Sequence, residues 1–465
     1  MNASSEANLQ GRPGTEECDV LVIGGGPAGA AASTLLAKQG WRVVLIEKDQ
    51  HPRFHIGESL LPMNLPLFEE LGVADKVAEI GMRKDGIDFY SHEDGEARRT
   101  TIYFDEAMDN SVPHAYQVRR SEFDKLLLDN ARESGVDVRQ QKTVTALDRL
   151  DKNGCLAVVC DAADNRQRIR ARFLIDSSGR DTFLSRRNKL LRRNPDHNAA
   201  AIFGHFRHVP RREGRDEGNI GLHWFEHGWF WVIPLKDGVT SVGAVCWPEY
   251  LKTRGDASLD DFLRRTIAKS PTLSPLMTAA EPVSGVQGTG NYSYWSDRLY
   301  GDGYLLVGDS YAFVDPVFSS GVYLAMKSAQ SGALAVDAIL KKAASAEMLM
   351  VRHEKYLQRG IRTVIWFIYR YNSPALRRLF MNPSNRFNIK SAVISVLAGD
   401  TFGDTPIGRP VLLFKLIYAF SSLARWRDSL AFILRRRRNN SMAPATGGSI
   451  LATPATAPVG KNRGK

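Results

Sequence analysis

Four consecutive aliphatic residues in Asp19-Val-Leu-Val-Ile23 predict a buried strand. A glycine-rich turn follows, then an Ala-rich helical stretch, then a second aliphatic run, Arg42-Val-Val-Leu-Ile46, that ends at Glu47. This β-α-β opening predicts a parallel α/β domain. Phe123, Leu126 and Leu127 at helical spacing predict a helix over 120–135, and alternation across 143–175 predicts strands. From 198 to 290 the chain is richer in aromatics and alternation, as in Gly221-Leu-His-Trp-Phe225 and Gly228-Trp-Phe-Trp-Val-Ile-Pro234, which predicts a mostly antiparallel sheet set apart from the first domain. Around Tyr304–Asp309 a buried strand returns, then a loop, then a helix from about Gly321. The expected division is 18–197 with 291–347 as one discontinuous domain, 198–290 as the sheet domain and 348–435 as a helical region. Polar, Gly/Pro-containing residues 1–17 and the basic, Ala/Thr/Pro/Gly-rich residues 436–465 are expected to be disordered.

Charge changes this picture in one place. The chain has 465 residues and a formal charge of +11, but no acid follows Asp428, and seven cations lie beyond it. The remainder is close to neutral for its size, which argues against a nucleic-acid-binding body. Cys18, Cys155, Cys160 and Cys246 are scattered and lack nearby His partners, so neither a metal site nor a disulfide framework is expected, and a reducing cytoplasm is the default. No N-terminal apolar signal segment is visible. The longest apolar candidate for a membrane span, Val411 to Ala424, is broken by Lys415, Ser421 and Ser422.

Gly24-Gly-Gly26-Pro-Ala28-Gly29 fits G-x-G-x-x-G between a strand and a helix, the Rossmann-like arrangement. The glycines permit a tight turn, close approach of a pyrophosphate and helix–sheet packing, and the helix N-terminus favours the phosphate charge. Glu47 at the end of the second strand, with Lys48 beside it, is placed to accept hydrogen bonds from a ribose. NAD and FAD are not separated by this motif.

Three later segments resemble FAD-dependent hydroxylase-like folds: Val118-Arg-Arg120-Ser-Glu-Phe123-Asp124, Leu174-Ile-Asp176-Ser-Ser-Gly179, and Gly308-Asp309 with Asp315-Pro316. The resemblance implies FAD, with Arg120, Asp176, Asp309, Pro316, Gly321 and Val322 among the cofactor contacts. For Asp176 a helix cap is the alternative. Two further motifs resemble those of flavin-dependent halogenases. Gly228-Trp229-Phe230-Trp231-Val232-Ile233-Pro234 matches G-W-x-W-x-I-P, and Phe313-Val-Asp-Pro316-Val-Phe-Ser319-Ser320-Gly321 matches F-x-x-P-x-x-S-x-G. On a strand, Trp229 and Trp231 share a face and would stand as a wall between flavin and substrate; an aromatic core strand is the alternative. Ser319, Ser320 and Gly321 would hold chloride or bromide near a helix N-terminus, unless this is only the general flavin loop. Lys84, before Asp85-Gly86, falls where the phenol- and pyrrole-directed halogenases carry an essential lysine; a surface lysine is the alternative. His55-Ile-Gly57-Glu58-Ser59 resembles the family's Gly-Glu loop, with Glu58 either near the isoalloxazine or a helix-start carboxylate.

The resemblance implies an α/β fold with a Rossmann-like FAD-binding domain, a mostly antiparallel substrate-side sheet and a C-terminal helical region. It implies that reduced FAD, from a separate NAD(P)H-dependent flavin reductase, forms a C4a-hydroperoxide that converts halide to hypohalous acid. Lys84 then directs the halogen to an electron-rich aromatic. Tryptophan halogenases carry a glutamate where this chain has Phe318, which favours a phenol or pyrrole, free or carrier-bound, and leaves the general base unassigned. The rivals are a monooxygenase or prenyl-type reductase on the same fold, and a non-catalytic membrane-surface flavoprotein using Leu412–Leu434 as an interfacial helix; the alternative for that segment is a C-terminal helix packed on the core, followed by a solvated basic end.

Overall fold

The structure, a computed structural model, describes residues 15–93, 95–108, 112–290, 293–402 and 405–442. Its first strand, β1 (Thr15–Ile23), is central to a parallel sheet, between Arg166–Asp176 and β2 (Val43–Ile46), with Tyr304–Leu306 and Asp137–Arg139 outside them. The aliphatic runs read from the sequence are buried on both faces, as central parallel strands require. Helix α1 (Pro27–Lys38) is almost wholly buried, and its alanines let it pack closely against α2 (Ser320–Leu340) and the helix Arg120–Glu133. The strand starts earlier than expected. Thr15–Cys18 pair with Arg168–Ala171, so residues 15–17, assigned to a disordered start, extend the sheet because the neighbouring strand is long enough to pair with them. Residues 1–14 lie outside the described ones.

The second sheet holds Ala200–Arg207, Thr240–Cys246, Gly228–Pro234 and Ile220–Phe225 in antiparallel succession. Its boundary at residue 198 needs correction. Gly86–Glu93 joins it, parallel to Ile220–His223, and brings Glu96–Tyr103 along as the next strand. Period-2 alternation sorts the aromatic strand between two cores. Trp229 and Trp231 face the C-terminal helices, while Phe230 packs with Phe262 and Leu263 of the helix Leu259–Ala268 on the other face.

Beyond residue 345 come helices Ala346–Ile368, Pro374–Met381, Ile389–Ala398, α3 (Gly408–Ala424) and α4 (Trp426–Ser441). Helix α4 corrects the expected tail, because the arginine run is helical through Ser441 and docked on the sheet domain. Arg435 donates to the Glu226 carbonyl, Arg436 to the Asp196 carbonyl, and Arg438 pairs with Glu249 at 2.7 Å. Carbonyl and carboxylate acceptors on the neighbouring surface account for what the local sequence could not foresee. Residues 443–465 lie outside the described ones. No described helix is long and apolar enough to cross a membrane.

Candidate active site

A cleft of about 430 Å³ runs from Glu47 and Lys48, past Gly24, Gly26, Pro27 and Ala28, to Asp309, Pro316 and the start of α2. The turn into α1 is set by two close approaches. Gly24 has φ +99°, and a Cβ on Gly29 would lie 1.9 Å from the Gly24 carbonyl oxygen. Gly29 therefore locks helix to strand, the packing role that the glycine motif assigns to one of its glycines. At Gly26 a Cβ would meet only the Arg53 guanidinium, at 3.8 Å, so the backbone is open towards the cleft. Glu47 is buried. Its Oε2 accepts from the Gly25 N–H at 2.6 Å and its Oε1 from the Asp49 N–H at 2.8 Å, which fixes the carboxylate at the cleft wall. Lys48 lines the same end and pairs with Asp181. At the other end burial pushes the Asp309 carboxyl up to about 6, against the influence of Arg180 and Arg120.

Arg120 lines the cleft and makes a two-pronged pair with buried Asp124, at 2.7 and 2.9 Å, while its third nitrogen donates to the Ile56 carbonyl at 2.8 Å. It thus ties the His55–Ser59 loop to the helix Arg120–Glu133. On that loop Glu58, 1% exposed, receives His205 Nε2 at 2.9 and 3.1 Å from its two oxygens. The helical turn after it begins only at Pro62, so the helix-start reading of Glu58 falls away. Asp176 has the contacts of its alternative reading, a cap. Its oxygens accept from the N–H groups of Ser178 at 2.9 Å and Leu184 at 2.7 Å, and it does not line the cleft: it caps a turn and the short helix Phe183–Arg187.

Trp229 and Trp231 both line the cleft, with ring centroids 6.0 Å apart. The Trp231 indole donates to Ser241 Oγ at 3.2 Å, and its ring fills the space over Gly243, where a Cβ would come within 2.2 Å of it. Across the cleft the chain turns through Ser319, at φ +56°, into α2, so that Ser319, Ser320, Gly321 and Val322 line the wall at the helix N-terminus. The leading N–H groups of a helix have no partner within it and attract anions.

Lys84 ends the short strand Met82–Lys84, paired with Ala115–Gln117. Alternation turns Arg83 outwards to Asp85 and Lys84 inwards, where it is 0% exposed. Its Nζ donates to Ser59 Oγ and to the Leu60 carbonyl, both at 2.9 Å, and lies 5.2 Å from the centre of the Phe104 ring. Burial lowers its pKa to about 7. Lys84 is absent from the cleft wall, but Ser59 lines it, so the amine sits one side chain behind the wall. The surface-lysine alternative is removed.

The family model described as an FAD binding domain matches residues 17–366. A 1H-pyrrole-2-carbonyl-(peptidyl-carrier protein) brominase of Pseudoalteromonas luteoviolacea is 32% identical, over 69% of this chain and 77% of that protein. A tryptophan 2-halogenase of Chondromyces crocatus is 34% identical over 73% of this chain, which spans 64% of that protein's length. The solved structure of the myxobacterial chondrochloren halogenase matches with a TM-score of 0.72 and 30% identity, covering 89% of this chain and 99% of that one. The chain belongs to the flavin-dependent halogenases.

As a halogenase it uses FAD, and the cleft suits that cofactor: an open glycine turn, a fixed carboxylate at one end and a helix N-terminus at the other. Sequence reasoning missed several residues that line this halogenase's cleft or support its lining. Arg53 stands beside the glycine turn, 3.6 Å from Asp124, where it can offset pyrophosphate charge. His205 holds Glu58, Ser59 joins the cleft to Lys84, and Gly243 makes room for Trp231. Only Ser59 lay within a segment the sequence had singled out. The others owe their places to strands and turns distant in the chain.

Proposed function

We propose that this halogenase transfers chlorine or bromine to an electron-rich phenol or pyrrole, with Lys84 delivering the electrophile. Reduced FAD and oxygen supply the oxidising power that turns halide into hypohalous acid. In this reading the N–H groups at Ser320 and Gly321 hold the halide, that of Ser319 being taken by the Pro316 carbonyl at 2.9 Å, and Trp229 and Trp231 keep the organic acceptor from the flavin. Hypohalous acid then reaches Lys84 past Ser59. The observation that carries the reading is the wholly buried Lys84 amine, 2.9 Å from a cleft-lining hydroxyl, with a pKa lowered to about 7. An amine near neutrality can present hypohalous acid with a hydrogen bond, or, unprotonated, react with it as a nucleophile. Phe318, buried among Tyr371, Phe367 and Phe380, offers no carboxylate for a less activated ring. This supports an acceptor that needs no such help.

The carrier-protein brominase among the relatives supports an acceptor tethered to a carrier protein. One glycine-rich nucleotide motif in the sequence is in keeping with a separate flavin reductase. Four buried thiols suit a reducing cytoplasm, and the basic C-terminal segment suits contact with a membrane surface. The test is incubation with reduced FAD, oxygen and chloride or bromide, with mass spectrometry on free and carrier-bound pyrroles, phenols and tryptophan. Halogenated phenol or pyrrole, lost in Lys84→Ala while flavin binding and hydrogen peroxide release persist, is the expected result. Oxygenation without halogen would return the protein to the monooxygenase reading, and halogenated tryptophan alone would overturn the assigned acceptor.

A further inference from the structure

The last two helices among the described residues expose side chains that a packed helix pair normally buries. In α3 Val411 and Phe414 are buried, but Leu412, Leu416, Phe420 and Leu423, on one stripe at helical spacing, are 49–71% exposed. In α4 Asn439 alone is buried, and Trp426, Leu430, Ile433 and Leu434 form a second stripe, each 44% exposed or more. Residues 408–442 hold eight Arg or Lys against one acid, Asp428, which pairs with Arg425 at 3.6 Å. Arg435, Arg436 and Arg438 clamp α4 to the sheet domain, while Arg409, Arg427 and Arg437 stay exposed.

We propose that α3 and α4 rest on an anionic lipid surface, with the two stripes in the acyl boundary and the exposed arginines at headgroup phosphates. The combination of large aliphatic and aromatic side chains with a cation-rich, acid-poor flank is what an in-plane interfacial helix requires. The stripe on α3 runs along ~17 Å of helix and that on α4 along ~12 Å, and the charge flanking them is of one sign, unlike the mixed polar rim of a protein docking patch. A second copy would bring another cation-rich face against the first and be repelled. Residues 443–465 offer three large aliphatics, Ile450, Leu451 and Val459, with three more cations, too few apolar side chains to match both stripes. Neither helix is long and apolar enough to cross the bilayer, so the contact lies along the surface. The inference deepens the membrane-surface contact proposed above by naming its helices and lipid charge, and it stands independently of halogenation.

The test is co-sedimentation of the full FAD-loaded chain with phosphatidylcholine vesicles, with and without phosphatidylglycerol. Wild type is expected to bind the phosphatidylglycerol vesicles and scarcely the neutral ones. Leu416→Glu with Phe420→Glu is expected to lower binding about tenfold or more, with bound-flavin absorbance and the thermal melt unchanged. Arg427→Glu with Arg437→Glu should weaken binding to the anionic vesicles. No binding to anionic vesicles, or equal binding by the double glutamate variant, would overturn the proposal. So would a dimer in light scattering that this variant splits, or an acidic carrier protein captured without any lipid binding.

Discussion

An ordinary lysine gives up its proton near 10.5, whereas burial brings Lys84 to about 7. Between these values the unfolded chain holds a proton that the folded protein does not, so stability falls as pH drops from about 10.5 towards 7 and levels off below. Lys84→Met removes this dependence. Denaturant midpoints should show the variant gaining on wild type by a few kcal/mol, in order of magnitude, as pH falls from 10 to 7; a gap independent of pH would refute the buried titration. Lys84→Arg should not restore halogenation, because a guanidinium stays protonated and is bulkier. Restored product formation in that variant would leave only the positive charge to explain the lysine. Lys84 could be singled out in the sequence by resemblance. Its contacts could not, since Ser59, Leu60 and Phe104 reach it from other parts of the chain.

Two elements depend on close approaches that a single methyl group would break. Gly29→Ala puts a Cβ 1.9 Å from the Gly24 carbonyl oxygen and 2.4 Å from Ser177 Oγ, so α1 must move away from β1. The purified variant is expected to lose its flavin absorbance and to melt at lower temperature; a fully flavin-loaded protein would contradict the packing. Gly243→Val drives a branched side chain into the Trp231 ring, 2.2 Å from the would-be Cβ, on the strand next to the tryptophans. If the indole pair confines hypohalous acid, this variant should release it, and a soluble chlorination-sensitive dye should respond several-fold more strongly than with wild type. Unchanged dye reaction together with unchanged product would remove the wall from the mechanism. The strand pattern made the shared face of Trp229 and Trp231 legible; the glycine opposite was not, because strand register is a tertiary property.

The C-terminal helix is tied to the sheet domain by polar contacts of unequal weight. Arg438 and Glu249 form an exposed pair, so Arg438→Ala should cost under ~1 kcal/mol. Asn439 is 1% exposed; its side-chain carbonyl accepts from the Glu249 N–H at 3.0 Å and its amide donates to the Arg435 carbonyl at 3.0 Å. Asn439→Leu leaves buried groups unpaired and should cost about 1–3 kcal/mol. Denaturant unfolding followed by circular dichroism separates the two, and equal costs would mean that α4 is not docked in this way.

The β-α-β opening, its glycine turn, the aromatic strand and the loop before α2 could all be read along the chain, because each rests on local periodicity or on a backbone conformation with few permitted residues. What needed the folded chain was contact between distant segments. The sheet domain draws in Gly86–Tyr103 because strand pairing is decided by partners, not by sequence order. Asp176 engages the N–H groups of Ser178 and Leu184, the second of them eight residues on, once the chain has turned back to bring that donor within reach. Lys84 loses its solvent only once Ser59, Leu60 and Phe104 have closed around it. Local chemistry named the cofactor's cradle; burial and register, which no single segment possesses, decided which side chains meet there.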